Sequence, residues 1–447
     1  MIRTAIIAGG LGTRIRSLSG DRIPKALVPV LGVPIVAYQL RLLARYGIRD
    51  IAVMGGHKGD VLREGMQPLA EDLGLNLEFF VEQELLGTAG GLSQARQFLE
   101  TTSGGDFLVI YGDVAVEMDL SRLISFRREK KSMAAVVAHP NDHPLDSDLL
   151  QINADGQILN FLPKKQRAPG YHRNLVPASV YCLSTEIFAW LKSGVPQDFI
   201  KDLFPELLKN NQKIYAYLTA EYLKDMGSLQ RYGKVEHDIR CGRMASMNQE
   251  NLRPAVFLDR DGVLNREIPG NGIRSVDAFH LLPGAAEAIR RINQAGLLAV
   301  VVTNQPNIAK GTLSEQELDA IHAKLDTELG SEGAYLDRLY YCPHHPEKGF
   351  AGERADLKLV CTCRKPLPGM IHRGEKELSV DLAKSCIIGD SVRDIAAGRA
   401  AGLHTYGVKT GFGCKDASLN MQPDLMFDNV LDAVLFFVEK IPAVQQP

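Results

Sequence analysis

Short apolar runs alternate with amphipathic stretches along most of the chain, and many of the runs close on Gly, Asp or Asn. In the first half they occupy 4–8, 51–54, 77–81, 107–111 and 134–138; in the second, 255–258, 297–303, 339–341 and 385–388. Runs of this length between helical patterns are strand-sized. They carry no polar face, so both their faces must be buried, as happens in parallel sheets covered by helices on both sides. The expected fold class is therefore α/β, with two doubly wound, Rossmann-like domains. In such sheets ligands sit outside the carboxyl ends of the strands. The polar residues that close the runs therefore carry the functional reading.

The 447 residues suggest two or three domains. A 45% hydrophobic and 23% charged composition supplies material for two cores and excludes wholesale disorder. Apolar patterning fades over 241–253 (CGRMASMNQENLR) and resumes at Ala255. We therefore expect a domain over 1–240, a polar linker over 241–253, a second domain over 254–447, and a frayed tail after Ile441. A net charge of −2 argues against gripping nucleic acid by bulk charge. No apolar run approaches the roughly 18–20 residues that cross a bilayer. The opening MIRTAIIAGG does not read as a signal peptide, so the expected location is cytoplasmic. Oligomeric state is left open, with a homo-oligomer allowed. Seven Cys fit poorly with a fully paired disulfide framework.

The first run leads into Gly9-Gly10-Leu11-Gly12-Thr13-Arg14, and Pro24-Lys25 follows. Clustered glycines let backbone N–H groups approach phosphate oxygens, and Arg14 and Lys25 can neutralise a polyphosphate. The pattern is neither a Walker A loop nor GxGxxG. A second cluster, Glu84-Leu85-Leu86-Gly87-Thr88-Ala89-Gly90-Gly91, follows a strand. The run 107–111 closes on Gly112-Asp113, and Asp225-Met226-Gly227 adds a second acid. Two carboxylates holding Mg²⁺ on a triphosphate suit nucleotidyl transfer. Together these residues resemble the sugar-phosphate nucleotidyltransferases over roughly 1–240. The resemblance implies a mixed sheet. It makes Gly10, Gly12 and Thr13 part of the nucleotide loop, and Gly87 and Thr88 part of the base-contacting segment. Asp113 and Asp225 become the Mg²⁺ ligands. It also implies attack of a sugar 1-phosphate oxygen on the α-phosphorus of a nucleoside triphosphate. The LGTAG form is similar to the guanylyltransferases for mannose-like and heptose 1-phosphates, which implies GTP. Around the sugar pocket the chain departs from the family pattern at Ser147-Asp148, Pro163-Lys164-Lys165 and Pro177-Ala178-Ser179. Lys164 is expected to meet the sugar phosphate.

In the second half, the run 255–258 closes on Asp259-Arg260-Asp261-Gly262. Two carboxylates so spaced can share nucleophilic and proton-transfer duties on a phosphoryl group. The run 297–303 ends in Thr303-Asn304-Gln305, a cation pair stands at Arg364-Lys365, and 385–388 ends in Gly389-Asp390. In this order the signals resemble the haloacid dehalogenase phosphatases. That implies Asp259 as nucleophile, Asp261 as general acid/base, and Thr303 and Lys365 on the phosphoryl group, with Asn304 a further donor to substrate. Mg²⁺ would be held by Asp259, Asp261 and Asp390. Asp394 would stand behind the metal or be an exposed helix-start acid. Cys342-x-His344 and Cys361-x-Cys363 supply four ligands for a structural Zn²⁺; His345 is the lesser candidate. Cys182, Cys241, Cys386 and Cys414 are expected to pack or stay free.

DRDGVLN, VVTNQ, YYCPHHP, CTCRKPLPGM and GDSVRD resemble the D-glycero-D-manno-heptose 1,7-bisphosphate 7-phosphatases over about 255–435. That resemblance places Arg364 where it reads substrate. The histidinol-phosphate phosphatases share the zinc loop. Taken together, the two resemblances imply consecutive activities on heptose bisphosphate and heptose 1-phosphate. The alternative is a histidinol-phosphate-type phosphatase fused to a nucleotide-sugar-binding module with little or no transferase activity.

Overall fold

Every one of these apolar runs forms a strand in the computed structural model, which describes residues 2–10, 20, 23–56, 58–82, 84–101, 104–416 and 420–441. The first sheet contains β1 (Arg3–Ile7), β2 (Asp50–Gly55), β3 (Asn76–Val81), β4 (Asp106–Tyr111), β5 (Ala134–His139), β6 (Val176–Ser184) and β7 (Ile214–Leu218). Their order is β7-β5-β6-β4-β1-β2-β3. The sheet is mixed: β6 runs antiparallel to β4 and β5, and the other pairs are parallel. Successive residues face opposite sides of a strand. Thus Ile6, Val53 and Ile110 join one core with the helices Ile35–Arg45 and Gly59–Asp72. Ala5, Met54 and Val109 join another, with Leu92, Phe199 and Phe204. Truncating a fully buried residue such as Ile6 to Ala would cost about 2–5 kcal/mol.

The second sheet holds β8 (Ala255–Leu258), β9 (Leu298–Asn304), β10 (Arg338–Cys342), β11 (Cys386–Gly389), β12 (His404–Val408) and β13 (Leu425–Phe427). All pairs are parallel, in the order β10-β9-β8-β11-β12-β13. The chain builds outward from β8 in both directions, so a crevice opens at its carboxyl end. Val256, Leu258 and Val301 pack against the helices Ala285–Gln294, Glu315–Ser331 and Val430–Lys440. On the other face Phe257 and Val300 meet Met370 and Ile371 of the helix Gly369–Leu378.

The stretch 241–253 is a packed seam between the sheets rather than a solvated tether. It contains the short helix Arg243–Ser246 and buries Met244, Asn248 and Gln249. The Gln249 N–H donates to Glu221 (2.9 Å), its amide to the Glu377 carbonyl (3.1 Å), and Asn248 to Glu117 (2.7 Å). Its polar composition reflects that duty, since buried polar groups must be paired. Among the described residues, no helix is long and apolar enough to cross a membrane.

Candidate functional sites

Parallel pairing of β8 with β9 and β11 brings Asp259, Thr303 and Asp390 to one crevice. Lys365 reaches it from a loop and is almost fully buried. Its Nζ lies 2.9 Å from Asp259 Oδ1 and 2.6 Å from Asp394 Oδ1. Asn304 holds it there: Asn304 Nδ2 donates to the Lys365 carbonyl and the Lys365 N–H donates to Asn304 Oδ1, both at 3.0 Å. So Asn304, expected to bind substrate, lines the cavity while its amide positions the lysine.

Candidate ligand atoms of Asp259, Asp390 and Asp394 lie within 4.8 Å of one another. Burial, reinforced by the neighbouring carboxylates, pushes Asp259 up to about 7 and Asp390 up to about 9. Against burial, Asp259 and Asp394 together hold the Lys365 ammonium above its ordinary value. Three carboxyl groups gathered around one ammonium supply a set of hard oxygen donors, which fits a divalent cation such as Mg²⁺.

The position of Asp394 decides between its two expected places. It is fully buried and caps its own helix by accepting from the Ser391 N–H (3.1 Å), so it is no exposed acid. Asp261 departs from its expected place among the Mg²⁺ ligands. Its carboxylate stands outside that cluster and accepts from Arg260 Nη2 (2.9 Å), Asn265 Nδ2 (2.9 Å) and Gln305 Nε2 (3.0 Å). Gly262 has φ +80°, and a Cβ there would stand 2.2 Å from Asp390 Oδ2. Only glycine admits both the backbone and the carboxylate.

The cavity above these residues has a volume of about 240 Å³. Beyond Asp259 it is lined by Lys310, Arg364 and Arg393, and by Glu267, which burial pushes up to about 7. Of these, only Arg364 was read from the sequence. Arg393 stands inside the GDSVRD segment and could have been.

Beside the crevice, β10 ends in Cys342, whose Sγ lies 3.6 Å from Cys361 Sγ and 3.6 Å from His344 Nδ1. Cys363 Sγ lies 3.3 Å from both Cys361 Sγ and His344 Nδ1. The edges of a tetrahedral zinc site with three thiolates and one imidazole measure about 3.5–3.8 Å. The donor set and its spacing therefore fit zinc. Hydrogen bonding within the cluster, from Cys342 first, brings Cys363 down to about 5 and favours a thiolate. His345 lies outside the cluster, its ring edge-on to Phe350 at 5.5 Å. The His344 carbonyl accepts from Arg364 Nη1 (3.3 Å), which links the cluster to the cavity.

In the first sheet, Gly10 follows β1, whereas Gly12, Thr13 and Arg14 lie outside the described residues. Lys25 Nζ sits 3.1 Å from Asp113 Oδ2. The strand Tyr222–Asp225 pairs antiparallel with Val114–Glu117, setting Asp225 opposite Val114, and the Met226 N–H donates to the Asp113 carbonyl (3.1 Å). The backbones that carry the two acids are thus neighbours. Asp225 also accepts from Arg231 Nη1 at 2.6 and 2.8 Å. Buried Gln39 donates to the Tyr111 (2.9 Å) and Val114 (2.7 Å) carbonyls and fixes the turn that carries Asp113. Neither Gln39 nor Arg231 had a signal in the sequence.

Gly87, at φ +75°, and Gly90 lie against the 195–197 backbone, where a Cβ would meet carbonyl oxygens at 2.5 and 2.7 Å. The Thr88 hydroxyl, expected near a base, donates to Asp198 (2.9 Å) and accepts from the Phe199 N–H (3.1 Å). Lys164 makes a half-exposed ion pair with Asp146, and its N–H donates to Asp148 (2.7 Å).

The family described as nucleotidyl transferase matches residues 3–241, and that described as HAD-hydrolase-like matches 362–433. The D-glycero-β-D-manno-heptose-1,7-bisphosphate 7-phosphatase of Yersinia pestis is 38% identical over 152 residues, which are 34% of this chain and 78% of that protein. Among solved structures, the D,D-heptose 1,7-bisphosphate phosphatase of B. bronchiseptica, complexed with magnesium and phosphate, is 33% identical, with a TM-score of 0.38. The match covers 42% of this chain and 99% of that one. HddC of Yersinia pseudotuberculosis, complexed with GMP-PN, is 25% identical, with a TM-score of 0.46 over 54% of this chain and 100% of that one. The chain therefore belongs, through its first half, to the nucleotidyl transferase family and, through its second, to the HAD-type family of heptose-bisphosphate phosphatases.

Proposed function

We propose that the chain is a bifunctional cytoplasmic enzyme of nucleotide-activated heptose synthesis. On this reading residues 254–447 remove the 7-phosphate of D-glycero-D-manno-heptose 1,7-bisphosphate, and residues 1–240 join the resulting heptose 1-phosphate to GMP from GTP. The observation that carries the phosphatase reading is the ring of Lys310, Arg364 and Arg393 around the cavity that holds Asp259. A bisphosphate brings a second phosphate for those cations to meet. Histidinol phosphate would bring a cationic amine to the same three charges, which disfavours it.

In the first step Asp259 attacks the 7-phosphorus, the P–O7 bond breaks, and Asp261 gives its proton to the departing oxygen. Asp261 then takes a proton from the water that attacks the aspartyl phosphate, releasing inorganic phosphate. Thr303 and Lys365 hold the phosphoryl oxygens throughout. Mg²⁺ held by Asp259 and Asp390, with Asp394 behind, would screen the phosphate from the nucleophile. Zn²⁺ held by Cys342, His344, Cys361 and Cys363 would be structural and would fix the loop that carries Arg364 and Lys365.

In the transferase, an oxygen of heptose 1-phosphate attacks the α-phosphorus of GTP and pyrophosphate leaves. Lys25 and Arg14 neutralise the phosphates, and Asp113 and Asp225 would hold Mg²⁺ there. The LGTAG segment supports GTP. Supplying heptose 1-phosphate, Mg²⁺ and each nucleoside triphosphate in turn tests this half. We expect pyrophosphate with GTP. Pyrophosphate with none of them would leave the first half a binding module.

A further inference from the structure

We propose that the first domain sets the acid–base aspartate of the second: Arg173, gripping the helix Glu315–Ser331, positions Asp261 through His322 and Arg260. The proposal rests on the reading of Asp261 as general acid/base.

Arg260 is fully buried between two partners. Its Nη2 lies 2.9 and 3.0 Å from the Asp261 carboxylate oxygens, with Nε at 3.2 Å, and its Nη1 lies 3.1 Å from His322 Nε2. Burial and the Arg260 charge hold His322 well below its ordinary value. The imidazole is therefore neutral, and its Nε2 accepts from the guanidinium. A guanidinium is a rigid planar fork. With one edge tied to His322, the orientation of the other edge is set, and with it the Asp261 carboxylate.

His322 lies on the same helix stripe as Asp319 and Asp326, three and four residues away. Both aspartates are held by Arg173 from the segment that leads into β6 of the first sheet. Arg173 Nη1 lies 2.8 Å from Asp319 Oδ1, and Arg173 Nε lies 2.8 Å from Asp326 Oδ2. The neighbouring residues reinforce the grip. The Asn174 N–H donates to Asp326 (3.2 Å), and the His172 N–H and carbonyl pair with the Thr327 hydroxyl at 2.9 and 3.1 Å. The same helix has a further tie to each domain: Lys324 Nζ donates to the Val276 carbonyl (3.1 Å) and lies 5.6 Å from the Tyr171 ring. One helix thus carries a first-domain anchor on the stripe that holds His322. A displacement of about 1 Å at a catalytic group can cost on the order of 100-fold in rate. Arg173, His322 and Arg260 are positioning residues; none needs to touch substrate.

The test uses the full chain in single turnovers with two substrates. Cleavage of heptose 1,7-bisphosphate releases an alkoxide oxygen that needs a proton, whereas cleavage of p-nitrophenyl phosphate releases p-nitrophenolate, which needs none. Asp261→Asn is the reference, expected to slow the sugar phosphate by about 10²–10⁴-fold and largely spare p-nitrophenol release. Equal loss on both substrates would overturn the reading of Asp261, and this proposal with it. With the reference as expected, Arg173→Ala should slow the sugar phosphate about tenfold and leave p-nitrophenol release within about twofold. The near-isosteric Asp326→Asn should show the same selectivity and decides the matter if Arg173→Ala does not fold. Equal losses on the two substrates, or none, in Arg173→Ala and Asp326→Asn would overturn the coupling and leave the role of Asp261 standing.

Discussion

Asp259 and Asp390 stand where burial disfavours ionised carboxylates, at about 7 and about 9 without metal. Protonated carboxylates do not bind Mg²⁺, so metal binding must release protons. Mg²⁺ affinity should therefore rise from pH 6 to pH 8, by about tenfold per unit for each proton released. Titration calorimetry in buffers of different ionisation enthalpy would show the release, and a pH-independent affinity would contradict it. The stability sign follows from the same shifts. Groups raised in the folded state favour folding most below their unfolded values, and that contribution is lost as pH rises through about 7 and 9. Metal-free protein should thus lose thermal stability toward alkaline pH, and Mg²⁺ should restore it. Gly262→Ala forces a Cβ to 2.2 Å from Asp390 at φ +80°. We expect it to lower phosphatase kcat/KM at least about tenfold and stability by about 1–3 kcal/mol, with pyrophosphate release unchanged.

The Cys/His loop and the strands show at the scale of elements what a sequence can say. Cys342, His344, Cys361 and Cys363 were legible because their chemistry is carried by residue type and short spacing, and they do converge. Elemental analysis should find about one zinc per chain, and Cys361→Ser should abolish it and lower Tm by several degrees. No metal in the unaltered protein would contradict the assignment. Both sheets' central strands were legible as continuous apolar runs. β6 was not: Pro177 interrupts it, and its register with β5 shifts between Pro177 and Tyr181. Edge strand β13 is short and half exposed, so it carries no buried pattern. Partners set by sheet adjacency rather than by neighbours in sequence were equally hidden. Gln39 under the Asp113 turn and Asn304 under Lys365 owe their roles to strand order. Asp394 was ambiguous because its spacing after Gly389-Asp390 suits a surface cap as well as the buried ion pair it makes.

At the scale of the whole molecule, two sheets of different topology share a seam. Buried Asn248 and Gln249, the Arg253 Nη1 donor to the Ala220 carbonyl (2.9 Å) and the Arg173 clamp all cross or fill it. The near-neutral charge of −2 conceals a concentration of cations, Lys310, Arg364, Lys365 and Arg393, around the cavity that holds Asp259. The central claim is that the two sites act in sequence on one sugar. It is tested by Asp259→Asn in the full chain with Mg²⁺ and GTP, measuring phosphate and nucleotide sugar. From heptose 1,7-bisphosphate the variant should yield neither, whereas from heptose 1-phosphate it should make nucleotide sugar at the unaltered rate. Nucleotide sugar formed from the bisphosphate by this variant, or none formed from heptose 1-phosphate, would contradict the account.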